Sequence, residues 1–489
     1  MKIIGMYIHQ HWPYKYPYAA RTWEISDWRG YLDGLKKLGY NTVQIWPMLE
    51  TIPNPLTASD LEHLQKMTQV IDIAHKEFGM LVFVVLCPNI AANNEKACQS
   101  SFQERHYFQC DINVNPANKD EVAKMIAWRE YLFSFLKEAD GVPIIDSDPG
   151  GYPDSTNDEY VHILLEHRKM FDRLRPGIEL VLWLHVGWNK FCRFYKTGHI
   201  DWKNLNNSDF EEVLLKIKDA SPEPWGIANG MPSARELGLE SRVISFSYGA
   251  IEAEPSFPLT NFGPFRGAYE AGKKQLSRGV MGNAQTHCLQ LPNTFAFVQG
   301  ALAKEITRDS YINFAERLIP GLGMPIVECW EALGQTNSEK MRIASEKLNR
   351  LAVPNVKSGD LGGLLFNDPQ RFLTDLLIQL RYKAAYEEFC EACEKNRFNK
   401  NVFRTYIEAL EIWQNRHGYK SDWAWYDTDN QRFAAALKTL NSEYIEQVMS
   451  PICTSKTPFE QVKEKYLINE TFTPRFIEAM KQTLNRMSS

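Results

Sequence analysis

Ile3-Ile4-Gly5-Met6-Tyr7-Ile8-His9, then Ser26 to Leu38 closed by Gly39, then Thr42-Val43-Gln44-Ile45-Trp46, form one unit: an apolar run, a helical pattern and a second apolar run. Short runs rich in β-branched residues read as strands and the 3.6-residue spacing between them as a helix, so the unit is one βα step of a parallel sheet. Ser26 is the expected N-cap and Gly39 the expected stop. The step recurs. Ser59 to Phe78 with Gly79 leads into Leu81 to Cys87, and further runs follow at Val142 to Asp146, Leu180 to His185, Trp225 to Asn229, Val243 to Ser247 and Val280 to Gln285. Eight alternations predict an α/β fold, a (β/α)8 TIM barrel over residues 1–292. A doubly wound sheet would often carry a glycine-rich phosphate turn after its first strand; no such motif follows any run, and Gly267 to Lys274 ends in Lys where a P-loop has Ser or Thr. Over residues 293–489, stretches such as Thr336 to Ala352, Pro369 to Lys395, Val402 to Asn415 and Gln431 to Met449 keep helical spacing, which predicts a mainly α-helical C-terminal domain.

The 489 residues are 44% hydrophobic and 24% charged, the make-up of a soluble globular protein rather than a disordered or fibrous one. Lys+Arg 55 against Asp+Glu 60 gives a net charge of -5, which argues against nucleic acid as a partner. No apolar run approaches the roughly 18 residues that span a bilayer, so no membrane partner is expected. The opening lacks a signal-peptide pattern, and the expected location is cytoplasmic, or secreted or periplasmic if a leader has been removed. Nine cysteines include one CxxC, Cys390 to Cys393, inside a helical pattern without a partner motif, which favours reduced thiols. Self-association is left open.

In a (β/α)8 barrel the chemistry sits at the carboxyl ends of the strands, and here those ends are polar and aromatic. The candidates are His9, His11 and Trp12 after the first run, Trp46 and Glu50 after the second, and Asn89 after the third. Asp146, Asp148 and Tyr152 follow the fourth, His185 and Trp188 the fifth, Asn229 the sixth, Tyr248, Glu252 and Glu254 the seventh, and Asn283 and His287 close the eighth. Opposed carboxylates suit glycoside hydrolysis: one protonates the leaving oxygen while the other attacks the anomeric carbon or activates water. Asp148 is the expected acid, with Asp146 as the like charge that keeps it protonated, and Glu252 the expected nucleophile or base. The tryptophans and Tyr152 would stack on sugar faces, and the asparagines and histidines would bond hydroxyls. The long connection from Ile90 to Lys119 carries Arg105 and His106, which suit an anionic substituent such as a uronate carboxylate. The histidines are dispersed and HExxH is absent, so neither a metal nor another cofactor is expected.

Gly39-Tyr40-Asn41-Thr42-Val43 leading to Trp46, and Ile71-Asp72-Ile73-Ala74-His75 with Phe78-Gly79-Met80 before the third run, resemble exo-acting glycoside hydrolases. Cys110 to Pro116 followed by Asp146-Ser147-Asp148-Pro149-Gly150-Gly151 looks like the strand-four region of α-glucuronidase and β-hexosaminidase type barrels. That resemblance implies a catalytic carboxylate at Asp148 or Asp146. The helical run from Asn293-Thr294-Phe295 through Ala301 to Pro320 is similar to the extension behind the barrel in α-glucuronidases and α-N-acetylglucosaminidases. Ser147 separates the two aspartates, so the Asp-Glu dyad of hexosaminidases is missing. The implied function is a glycosidase acting on a terminal sugar of a carbohydrate substrate; the alternatives are a carbohydrate-binding barrel without chemistry and a metal-dependent isomerase or aldolase-type barrel.

Overall fold

A computed structural model of the chain describes residues 2–12, 14–107, 110–148, 150–197, 207–252, 266–351, 356–418, 431–449 and 472–487. Each of the eight expected runs overlaps a barrel strand, three of which begin one residue earlier: β1 (Ile3–Ile8), β2 (Thr42–Ile45), β3 (Leu81–Val84), β4 (Gly141–Ile145), β5 (Glu179–Trp183), β6 (Trp225–Ala228), β7 (Val243–Ser247) and β8 (Gly279–Ala284). They pair in parallel in chain order, and β8 returns to β1, closing the barrel. At the closing seam Gly279 has φ +127°, and any Cβ there would collide with the Ile3 carbonyl.

Register fixes which side chains face the lumen. Tyr7 is paired with Asn283 on β8 and with Gln44 on β2, and its ring meets Trp183 of β5 and Phe246 of β7 across the barrel. Ile145 is in register with Trp183, so Ile145 and Ser147 share the inward parity, while Ile144 and Asp146 take the outward one. At the amino ends of the strands Arg278 forms a two-pronged ion pair with Glu179, in the space left by the missing side chain of Gly226.

The first two barrel helices start slightly earlier than the sequence suggests. Helix α1 (Ile25–Leu38) is capped by Glu24 in a reciprocal box with Asp27, rather than by Ser26, and ends at Gly39 with φ +113°. Helix α2 (Ala58–Lys76) begins after Thr57, which caps it in a reciprocal box with Asp60, one residue before the helical pattern that starts at Ser59. The long connection after β3 is ordered locally by a short antiparallel pair, Ile90–Ala92 with Asp111–Asn113.

The helix Leu291–Ala301 completes the outer ring: Phe297 covers Gly282 of β8 and stacks near Tyr40, and the Tyr40 hydroxyl donates to the Thr294 carbonyl at 2.8 Å. Further helices follow from Arg308 onward. They hold the loop after β1: buried Asp375, on the helix Pro369–Glu394, accepts from the Tyr18 hydroxyl at 2.7 Å, from Arg416 at 2.9 Å and from Arg371. Among the described residues no helix is long and apolar enough to cross a membrane.

Candidate active site

Most of the strand-end candidates are spoken for by neighbouring backbone. Asp146 is 1% exposed and accepts from the N–H groups of His185 and Val186, each at 3.1 Å, and of Gly187 at 2.8 Å. Glu252, also 1% exposed, accepts from Gln285 N–H at 3.0 Å, from Thr286 N–H at 2.6 Å and from the Thr286 hydroxyl. Glu50 accepts from Cys87 N–H at 2.6 Å and from the Trp46 indole at 3.3 Å. In all three, a carboxylate after one strand holds the chain just beyond the next: β2 to β3, β4 to β5, β7 to β8. Asparagines extend the ring. Asn89 takes Gly151 N–H at 2.9 Å, Asn229 takes Phe246 N–H at 3.0 Å, and Asn283 takes Gly249 N–H at 2.8 Å.

Burial raises Asp146 and Glu252 to about 7 against the pull of these donors, and it raises Glu50 as well. The like charge acting on Asp146 is Asp209. Asp148 differs from all three: it is half-buried, sits at φ +66°, and its carboxyl receives no hydrogen bond or ion pair from a described residue. Burial alone raises it to about 6, so the like-charge role expected of Asp146 is not the cause. Positive φ costs a non-glycine residue roughly 1–3 kcal/mol, and such outliers concentrate where function requires them. Met48 and Asn229, after β2 and β6, share the feature at φ +59° and +66°.

Among the candidates in the described residues, those with open surface form one arc over β4 to β7: Asp148, Tyr152, His185 and Asn229, half-buried, and Tyr248, 49% exposed. The Ser147 hydroxyl bonds His185 Nδ1 at 2.9 Å, a pairing that the sequence reading passed over although Ser147 has the inward parity of Ile145. Burial lowers His185 to about 4, so the imidazole at the mouth is neutral.

The opposite side of the mouth is packed shut. Trp12 and Trp46 are 1% exposed; Trp12 donates to Gln285 at 2.7 Å, and His11 lies between them with ring separations of 4.3 and 5.5 Å. His106 is buried close enough to act on the His11 charge. Four expectations need correction. Trp188 is not a stacking face in the mouth: it lies flat against Tyr160 of the helix Asn157–Leu174, 4.7 Å away, and its indole donates to Ser155. His287 turns toward α1, bonded to the Tyr31 hydroxyl at 3.2 Å, and burial lowers it to about 3. Arg105 is no anion receptor, because its 1% exposed guanidinium is consumed by Asp60 at 2.6 Å and by the carbonyls of Thr51, Ala97 and Ser100. Asp146, placed with the catalytic carboxylates, points outward from the lumen and serves the chain after β5. Glu254 lies outside the described residues. Among the described residues no group of three or more His, Cys, Asp or Glu side chains is arranged to hold a metal ion.

No family model and no curated protein matches the chain. Among solved structures it is similar to a GH138 enzyme targeting pectin rhamnogalacturonan II, with 9% identity and a TM-score of 0.45, over 85% of this chain and 62% of that one. The chain thus spans about 62% of that enzyme's length. It is also similar to a GH20 beta-N-acetylhexosaminidase from Streptomyces coelicolor A3(2), with 10% identity, TM-score 0.36 and coverage of 60% and 63%. An Old Yellow Enzyme from Pichia sp. AKU4542 gives 10% identity, TM-score 0.36 and coverage of 60% and 82%.

Proposed function

We propose that the chain is a glycosidase that removes a terminal sugar, with Asp148 as general acid. The observation that carries this reading is Asp148 itself: a strand-end carboxyl in a strained conformation, half-buried, uncommitted and raised to about 6 by burial. In that state it gives its proton to the glycosidic oxygen as the bond from that oxygen to the anomeric carbon breaks. Glu252 is the proposed partner, attacking the anomeric carbon or taking a proton from the water that does. Its support is orientation by Gln285 and Thr286, whose donors oppose the burial that raises it to about 7, so it attacks in its ionised fraction. One observation favours a second reading, a sugar-binding barrel without chemistry: both Glu252 oxygens are already engaged and the residue is buried.

A panel of α- and β-nitrophenyl glycosides, assayed with the native chain and with Asp148→Asn and Glu252→Gln, separates the two. Cleavage of one glycoside, lost in both variants, is the expected result. Sugar binding without cleavage of any panel member selects the second reading.

A further inference from the structure

One layer below the mouth, the lumen presents polar atoms that the protein itself does not pair. Tyr7 is in register with Gln44 and Asn283, and its ring lies 5.3 Å from Trp183, edge-on, and 4.0 Å from His9. Phe246 packs against Trp183 at 4.4 Å. Around that ring, Trp183 Nε1, Asn283 Nδ2, Gln44 Nε2 and His9 Nε2 are all buried without a hydrogen-bond partner. Buried polar groups in folded proteins are nearly always paired, and each one left unpaired costs roughly 1–3 kcal/mol. Three of them on three strands and a fourth just past β1, grouped about one ring, offer hydrogen bonds to something other than the chain.

Their chemistry is one-sided. An indole N–H only donates. The Asn283 amide is oriented by Gly249, whose N–H occupies its oxygen, so its NH2 is the end left over. Gln44 likewise offers an NH2, and His9 takes its role from its 3.2 Å contact with His11. None of the side chains named around Tyr7 is charged; burial also keeps His9 neutral. The guanidinium that acts on the His11 charge, Arg21, is spent on the carbonyls of Gln10, His11 and Arg105.

We infer that this layer is the floor of a subsite for an uncharged sugar ring, whose hydroxyl oxygens accept from Trp183, Asn283 and Gln44 while the packed rings of Tyr7, Trp183 and Phe246 lie beneath it. A charged sugar would bury its charge there without a counter-charge, which costs far more than neutral donors return. The ligand class rests on the glycosidase reading; the donor geometry does not. His185 and Tyr248 of the half-open arc lie directly above, since His185 is two residues beyond Trp183 and Tyr248 two beyond Phe246 on their strands.

The test is calorimetric titration of the native chain and of Trp183→Phe with the methyl glycosides of glucose, galactose and mannose, and with glucuronate and glucosamine. A neutral glycoside is expected to bind best. Trp183→Phe keeps an aromatic ring and removes the donor, so its affinity for that glycoside should fall about tenfold, while the smaller ring lowers the urea midpoint only through lost packing against Tyr7 and Phe246. Gln44→Met is the second donor-removing variant and carries the same expectation should Trp183→Phe fold poorly. Unchanged affinity in both variants, tightest binding of a charged sugar, or binding of none of the probes overturns the inference. Sugar binding that depends on Trp183, without cleavage of any glycoside, leaves it standing and sinks the glycosidase; cleavage with kinetics indifferent to Trp183 and Gln44 does the reverse.

Discussion

Asp148 combines a backbone conformation and a burial that both work against an ordinary solvated aspartate. Asparagine tolerates positive φ, so Asp148→Asn removes the proton and keeps the conformation. Turnover is expected to fall by a factor of about 10² to 10⁴, with less loss for glycosides whose leaving group needs little protonation, and the thermal midpoint should hold. The acid must carry its proton while Glu252 sheds its own, so native activity should follow a bell that peaks between about 6 and 7 and falls on the alkaline side, and that alkaline limb should vanish from the pH-rate profile of Asp148→Asn. Arg105 is a different kind of residue. Arg105→Met leaves Asp60 buried without its counter-charge, and urea denaturation should show a loss of roughly 3–5 kcal/mol. Sequence position made both residues candidates. What it could not supply was direction: Arg105 is turned into the protein because Asp60, 45 residues earlier, waits there, and that pairing has no local signature.

At the scale of elements, the rim of the barrel is laced by side chains that each hold a neighbour's backbone. Glu252→Gln and Asp146→Asn place an amide NH2 where backbone N–H groups point, and each is expected to lower the unfolding free energy in urea by about 1–3 kcal/mol without changing the denaturant slope. Asp148→Asn should not, and that contrast separates the clamps from the acid even if Glu252 also loses turnover. The strands were legible because each barrel strand is an apolar run, and the helix stops at Gly39 and Gly79 fall where they were expected. The clamps were not legible. Outward parity at Asp146 follows from its alternation with Ile145, but which backbone it meets depends on the closed order of strands. The pair Ile90–Ala92 and Asp111–Asn113 escaped because three residues are too few to show a period.

The whole molecule is tuned by its buried histidines. His9, His11, His63, His167, His185, His287 and His417 are all held below their usual range by burial, so the folded chain refuses protons that the unfolded chain takes up below about 6.5. Stability gained from that mismatch is present above 6.5 and drains away as pH falls. Asp146, Asp148 and Glu252, which keep protons up to about 6 or 7 in the folded chain, and Glu50, which burial also raises, act in the opposite sense, so their contribution is present at low pH and fades as pH rises. The histidines outnumber them. Urea midpoints at pH 5, 6 and 7 should therefore rise in that order and flatten above 7; a midpoint highest at pH 5 would show the carboxyls to dominate. The laced rim also bears on how such a barrel changes over generations. In many barrels a loop at the mouth is a replaceable part, exchanged without disturbing its neighbours. Here the anchor of the chain after β5 is carried by the segment after β4, and that of the chain after β8 by the segment after β7. A graft that brings a new loop without its neighbour's anchor would arrive unmoored, so new specificities on this scaffold should come in adjacent pairs of loops rather than one at a time.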